Sequence, residues 1–225
     1  MAEQPGALAL FGGPSWVRDD GIAAELIKAA GSEVVVLPTA AAYEGPAAVV
    51  AKLADELGSV GASIRPVMVL TRRDAGVAGF ADVVRDARLI CLVGGSPLHL
   101  MSVIKDSLVF DALVSGWRSG AAIIGAEGGA SVLSDPMVDP RGGALTVGLG
   151  LVRDMSVYIG YRGELDAGLE RTLALATLDC PVVAIGGDGG VVREPDGIWR
   201  SEGSVTVFEG AAVSGLAALA GKPLA

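Results

Sequence analysis

Short continuous runs of Val, Ile, Leu and Ala alternate along the chain with stretches whose apolar residues recur every three or four positions. Residues 8–11, 33–37, 64–70, 89–93 and 121–126 are of the first kind. They lack the polar–apolar alternation of a strand with one wet face, so each predicts a strand covered on both sides. Residues 21–30, 46–57, 81–87 and the segments from Pro97 to about Arg118 are of the second kind and predict helices. Gly94-Gly95-Ser96-Pro97 reads as a loop entering a helix, with Ser96 as N-cap and Pro97 at the first helical position. The alternation predicts an α/β three-layer sandwich, a mostly parallel sheet with right-handed crossovers and helices on both faces. Beyond Leu145 the pattern changes. Short β-like runs at 182–185, 190–193, 198–200 and 204–208 predict a small antiparallel C-terminal extension, and 211–220 predicts a closing helix.

In such sheets pockets open at the carboxyl ends of the strands. Gly12-Gly13, Thr39-Ala40, Gly94-Gly95-Ser96 and Glu127-Gly128-Gly129 all fall at such ends and are expected to converge on one site. Within the last group, Ile123-Ile124-Gly125-Ala126-Glu127-Gly128-Gly129-Ala130 runs an apolar strand into a small-residue turn with one acidic side chain at its apex. That is the pattern of a nucleophile elbow, which holds one side chain strained over a pocket and leaves the following backbone N–H groups free to stabilise an oxyanion.

Composition narrows the classes of function. At 225 residues the chain is expected to form one domain over residues 1–225. The 33 glycines and only 4% aromatic residues predict close helix-to-sheet packing by small side chains. A formal net charge of −9, with Lys and Arg scattered, argues against nucleic acid and anionic membranes as partners. No stretch approaches the ~18 apolar residues needed to span a bilayer. The start, Met1-Ala2-Glu3-Gln4-Pro5-Gly6, lacks the basic region and apolar run of a secretory leader, so a cytoplasmic location is expected. Cys91 and Cys180 lie in apolar runs and read as buried thiols. With His99 the one histidine, no metal site is expected. No cofactor is expected either.

The elbow, Gly94-Gly95, Met137-Val138-Asp139-Pro140-Arg141-Gly142-Gly143 and the glycine-spaced run Leu145-Thr146-Val147-Gly148-Leu149-Gly150-Leu151 together carry a resemblance. The chain resembles the cyanophycinase and aspartyl dipeptidase (peptidase E) family of serine peptidases over nearly its whole length. The resemblance implies a class I glutamine amidotransferase-like (flavodoxin-like) fold, a small-molecule or peptide-like ligand and, together with a mean hydropathy of +0.54, a homodimer. It also implies a Ser-His-acid triad, and there the sequence departs. The family's elbow serine aligns with Glu127, and Gly128 stands for the usual Ala. The family histidine best matches Tyr161, or Tyr158 if the gap shifts. The family acid matches Gly187 in Ala184-Ile185-Gly186-Gly187, with Asp188 one position past it. No histidine follows His99 at all. A triad works only as nucleophile, base and orienter in contact, so the ordinary Ser-His mechanism is not expected.

Each candidate residue has two readings. Glu127 is either a carboxylate nucleophile, general base or cation ligand, or a structural group that caps the following helix or pairs with Arg141 or Arg162. Asp135 and Asp139 either belong to a catalytic set, as the resemblance implies, or fix their loop through turn hydrogen bonds. His99, in the first turn of its helix, is either a neutral base near the Gly94-Gly95 loop or an ordinary helical histidine. Tyr158, Tyr161 and Arg162 either line the pocket to bind a carboxylate or replace an imidazole, or lie at a strand edge with phenols to solvent. Two functions follow. The first is a degenerate peptidase homologue keeping its pocket for binding, regulation or scaffolding; the second is an active hydrolase of a small amide or peptide-like substrate with Glu127-centred chemistry.

Overall fold

The computed structural model describes residues 4–225. Met1–Glu3, the beginning of the stretch read as lacking a leader, lie outside the described residues. The first half runs β1 (Leu8–Phe11), α1 (Ile22–Ala30), β2 (Glu33–Leu37), α2 (Pro46–Ser59), β3 (Ser63–Pro66), α3 (Ala78–Asp86), β4 (Leu89–Leu92), α4 (Pro97–Ile104), α5 (Leu108–Arg118) and β5 (Ala122–Ala126). The four-residue helix α6 (Gly128–Ser131) follows, then the two-residue strands β6 (Ser134–Asp135), β7 (Met137–Val138), β8 (Leu145–Thr146) and β9 (Val152–Arg153). The chain ends with β10 (Ser156–Ile159), α7 (Ala167–Leu175), β11 (Val182–Ile185), β12 (Gly190–Arg193), β13 (Trp199–Glu202), β14 (Val205–Glu209) and β15 (Ala212–Ser214).

A seven-stranded sheet in the order β13-β12-β1-β5-β4-β2-β3 forms the middle layer. Its five strands from the first half are parallel, as expected for continuous apolar runs. Alternate residues of one strand enter different cores. Leu8 and Leu10 pack with α3, α4 and α5, while Ala9 and Phe11 pack with α1 and α2 on the opposite face. Edge strand β3 ends at Pro66, short of the run expected to reach residue 70, although the Val67 N–H still donates to the Val36 carbonyl of β2 (2.8 Å). The helix expected at 81–87 begins earlier, at Ala78.

The four late β-like runs do form strands, but they are divided between two sheets. The β12–β13 hairpin extends the main sheet antiparallel to β1. β11 and β14 join a second sheet ordered β10-β11-β14-β15, in which β10 and β11 are parallel. The closing helix expected at 211–220 does not exist. Gly210, at φ 59°, turns the chain after β14 so that β15 pairs back on it. Gly215 and the β-branched Val213 disfavour helix there, and only a 3₁₀ turn at Leu216–Leu219 remains. Helix α7 has no counterpart among the expected elements. Cys91 and Cys180 are buried, and burial pushes both thiols upward. Among the described residues no helix is long and apolar enough to cross a membrane.

Candidate functional site

The elbow is present in full backbone detail. β5 ends at Ala126, and Glu127 takes φ 55° and ψ −121° before α6 starts at Gly128. A positive φ on a residue with a Cβ costs on the order of 1–3 kcal/mol, so the surrounding packing must hold it. Small residues make that packing possible. A Cβ on Gly129 would collide with the Leu92 carbonyl of β4, the strand beside β5. The Glu127 N–H donates to the Phe11 carbonyl (3.0 Å), which ties the apex to the end of β1.

Above the elbow lies a cavity of ≈ 510 Å³. Gly12, Gly13, Gly95, Glu127 and Gly128 come to it from the strand ends, as expected. Thr39-Ala40 does not. Thr39 is buried with its hydroxyl donating to the Val69 carbonyl (2.6 Å), and the Ala40 carbonyl accepts from the Ser96 N–H (3.0 Å), so this turn supports the Gly94-Gly95 loop from below. The remaining wall includes Ser131, Val138, Asp139, Val157, Tyr158, Ile159, Gly168 and Gly187.

Two donors beside the apex are already engaged. The Gly128 N–H donates to the Gly94 carbonyl (2.9 Å), and the Gly95 N–H points to Glu44 Oε2 (3.3 Å). Gly94 adopts φ 118°, which brings its backbone against Ala41. The expectation of free N–H groups after the elbow is therefore corrected for Gly128, whose N–H is taken up by a carbonyl of the protein itself.

Glu127 neither caps α6 nor pairs with Arg141 or Arg162, which corrects both structural readings of it. Its side chain makes no capping hydrogen bond. Arg141 instead clasps Asp139, with Nη2 to Oδ2 at 2.6 Å and Nε to Oδ1 at 3.0 Å. Burial pushes the Glu127 carboxyl above the usual range; the Glu44 carboxylate adds to the effect and Lys52 opposes it. Glu127 also borders a small recess of ≈ 70 Å³ shared with Trp16, Lys52, Glu56 and Gly94. The guanidinium of Arg141 holds Asp139 below its ordinary range, and the Asp139 carboxylate also accepts from the Arg141 N–H, as a turn-fixing role requires. Asp135 likewise fixes its loop, accepting from the Gly148 N–H (3.0 Å).

Of the two tyrosines, Tyr158 is on the cavity wall and Tyr161 is not. Tyr161 packs edge-on against Phe208 with ring centroids 6.3 Å apart. The Tyr158 hydroxyl donates to Asp166 Oδ1 (2.6 Å), the residue that also caps α7. Burial and that carboxylate push the phenol up to about 12, so it does not serve as a base near neutrality. Gly187 contributes no group and leaves open space, since a Cβ there would meet nothing within 4 Å. Asp188 faces solvent, held low by the Ser204 hydroxyl. His99 lies off the cavity; its Nε2 is 3.0 Å from the Leu70 carbonyl and its ring stands edge-on to Tyr43. Ser96 caps α4, accepting from the His99 N–H. Arg162 is exposed and does not line the cavity. Glu44, Ser131 and Asp166 escaped the sequence reading because they belong to no motif; only contacts across the fold bring them in.

The model of peptidase family S51 matches residues 18–144, more than half of the chain and the part that contains the elbow and the Asp139–Gly143 loop. The chain belongs to peptidase family S51. Two solved structures share the S51 chain's fold. A peptidase from an acI-B1 Actinobacterium is 21% identical, with 95% of each chain covered and a TM-score of 0.80. A "Putative Peptidase E Protein" from Listeria monocytogenes EGD-e is 16% identical, covering 91% of this chain and 98% of that one, with a TM-score of 0.62. No curated protein matches. The S51 match ends before Tyr158 and Gly187, so the family model does not reach those positions.

Proposed function

We propose that this chain is a non-hydrolytic member of peptidase family S51 whose cleft is kept to bind a small-molecule or peptide-like ligand. The observation that carries the reading is the Gly128 N–H held by the Gly94 carbonyl at 2.9 Å beside an apex that bears Glu127. Loss of a single oxyanion donor costs acyl-transfer enzymes about 2.7–4 kcal/mol of barrier. Here the second donor, the Gly95 N–H, also faces a carboxylate. The one histidine is turned to Leu70 and Tyr43, so among the described residues no imidazole lines the cavity to take a proton from a hydroxyl nucleophile.

A fluorophosphonate serine probe is expected to leave the protein unlabelled. Glu127→Ser alone is expected to gain no peptidase turnover, because among the described residues no histidine lines the cavity to take the new hydroxyl's proton and the Gly128 N–H is held by the Gly94 carbonyl. Dipeptide cleavage by that single variant, followed by mass spectrometry, would overturn the proposal.

The second reading, a hydrolase with Glu127-centred chemistry, is favoured by one observation. The Glu127 carboxyl is raised by burial at a strained apex, a condition that suits an acid or base. Glu127→Gln separates the two readings: a turnover found in the wild type and lost in this variant belongs to the second.

A further inference from the structure

The main cavity has an uneven distribution of charge and donors. Glu127 lines it without an ion-pair or hydrogen-bond partner for its carboxylate among the described residues. Lys52, the cation that acts on it through space, is already 3.6 Å from Glu56. Asp139 is the other acid of the wall, and Arg141 neutralises it. No Lys, Arg or His lines the cavity among the described residues. Independently of these charges, two backbone donors beside the apex, Gly128 N–H and Gly95 N–H, are directed at acceptors within the protein. An anionic ligand would therefore meet the Glu127 carboxylate with no cationic side chain on the wall and with these two donors already engaged. A cation would meet a half-buried carboxylate whose desolvation Lys52 offsets only through space, without a direct contact.

We propose that this cavity is selective for a small organic ligand bearing a primary ammonium group, which donates to the Glu127 carboxylate while its apolar part lies along Val138, Val157 and Ile159. The inference rests on the non-hydrolytic reading, since it assigns Glu127 to recognition rather than to chemistry. A volume of ≈ 510 Å³ accommodates a ligand of modest size, within the range of ordinary small-molecule sites. Gly187 adds to the room available, because its missing side chain would occupy space that no other atom fills within 4 Å.

The test uses matched probes that differ only in the polar group: benzylamine, benzyl alcohol and benzoate, and butylamine, butanol and butyrate. Binding to the full chain is read by saturation-transfer NMR and by the shift in Tm. Each amine is expected to bind at least tenfold tighter than its alcohol and carboxylate counterparts. Glu127→Gln is expected to weaken amine binding roughly ten- to hundredfold, the loss of a charge-assisted hydrogen bond, and to leave alcohol binding unchanged. Gly187→Leu, which keeps Glu127 and fills open space, is expected to weaken both amine and alcohol. Equal or better binding of the alcohols or carboxylates, an amine preference that survives in Glu127→Gln, or no amine binding at all would overturn the inference. Mass spectrometry of an added dipeptide mixture reads the non-hydrolytic proposal separately. Cleavage would sink that reading, while the amine preference is judged on the binding data.

Discussion

Glu127 combines a backbone conformation that disfavours a side chain with an environment that disfavours its charge. The environment is set by groups on two neighbouring segments: Glu44 beyond the turn after β2, and Lys52 and Glu56 on α2. Burial is the largest effect, so the folded protein holds the Glu127 proton more tightly than the unfolded chain does, where the ordinary value is near 4.5. Unfolding then releases a proton at pH values between the ordinary value and the raised one. Stability from this group is accordingly greatest below the ordinary value and is lost as pH rises through the folded value. Gln cannot ionise and keeps the shape. Glu127→Gln is expected to raise Tm relative to the wild type at about pH 8 and to lose that advantage at about pH 4. Paired thermal scans across that range check it; a difference that stays constant with pH would mean that Glu127 is not desolvated in the fold. The presence of Glu at position 127 was legible in the sequence, as was the turn that displays it. Its lack of a partner was not, because Arg141, two residues from Asp139, is claimed by that closer carboxylate.

At the scale of elements, the elbow depends on how closely α6 lies on β4. Gly129 faces the Leu92 backbone with no space for a methyl group. Gly129→Ala is expected to destabilise the protein by roughly 1–3 kcal/mol, the usual cost of forcing extra volume into a packed interior. Urea unfolding measures this, and Gly187→Ala serves as the control, expected within about 0.5 kcal/mol of the wild type because its Cβ enters open space. The parallel strands and the helices between them were legible because their apolar runs and helical periods are local signals. The occupied donors were not, since the Gly95 N–H meets a carboxylate 51 residues away and the Gly128 N–H meets a carbonyl from another strand end. The error at 211–220 has a local cause. Its Ala and Leu content suggests a helix, but Gly210 reverses the chain and β14 offers a free edge, so the first residues of the segment pair as β15 instead.

At the scale of the whole molecule, the late strands anchor the early helices. Apolar content at 182–208 predicted strands but could not assign them to sheets, because that choice depends on which core each residue meets; adjacent Val191 and Val192 enter opposite ones. The β12–β13 hairpin that results delivers Glu202 to the N-terminus of α1, a helix whose own N-cap, Gly21, has no side chain to offer. Glu202 Oε2 accepts the Ile22 N–H (2.9 Å) and lies 3.2 Å from Arg18 Nη2. A carboxylate so placed satisfies an orphan donor and opposes the positive end of the helix dipole. Against this, Glu202 Oε1 is buried without a partner, so part of the gain is offset by desolvation. The net expected loss in Glu202→Ala is about 1–2 kcal/mol, in the range of a deleted N-cap. Glu202→Gln keeps an acceptor for Ile22 and loses the ion pair with Arg18, which is partly exposed, so a smaller loss is expected. Amide hydrogen exchange distinguishes this tie from a general loosening. If β13 holds α1 through Glu202, the first-turn amides around Ile22 should lose protection in Glu202→Ala more than those of α5, which Glu202 does not touch. Equal loss in both helices would mean that the hairpin supports the sheet edge and does not fix α1.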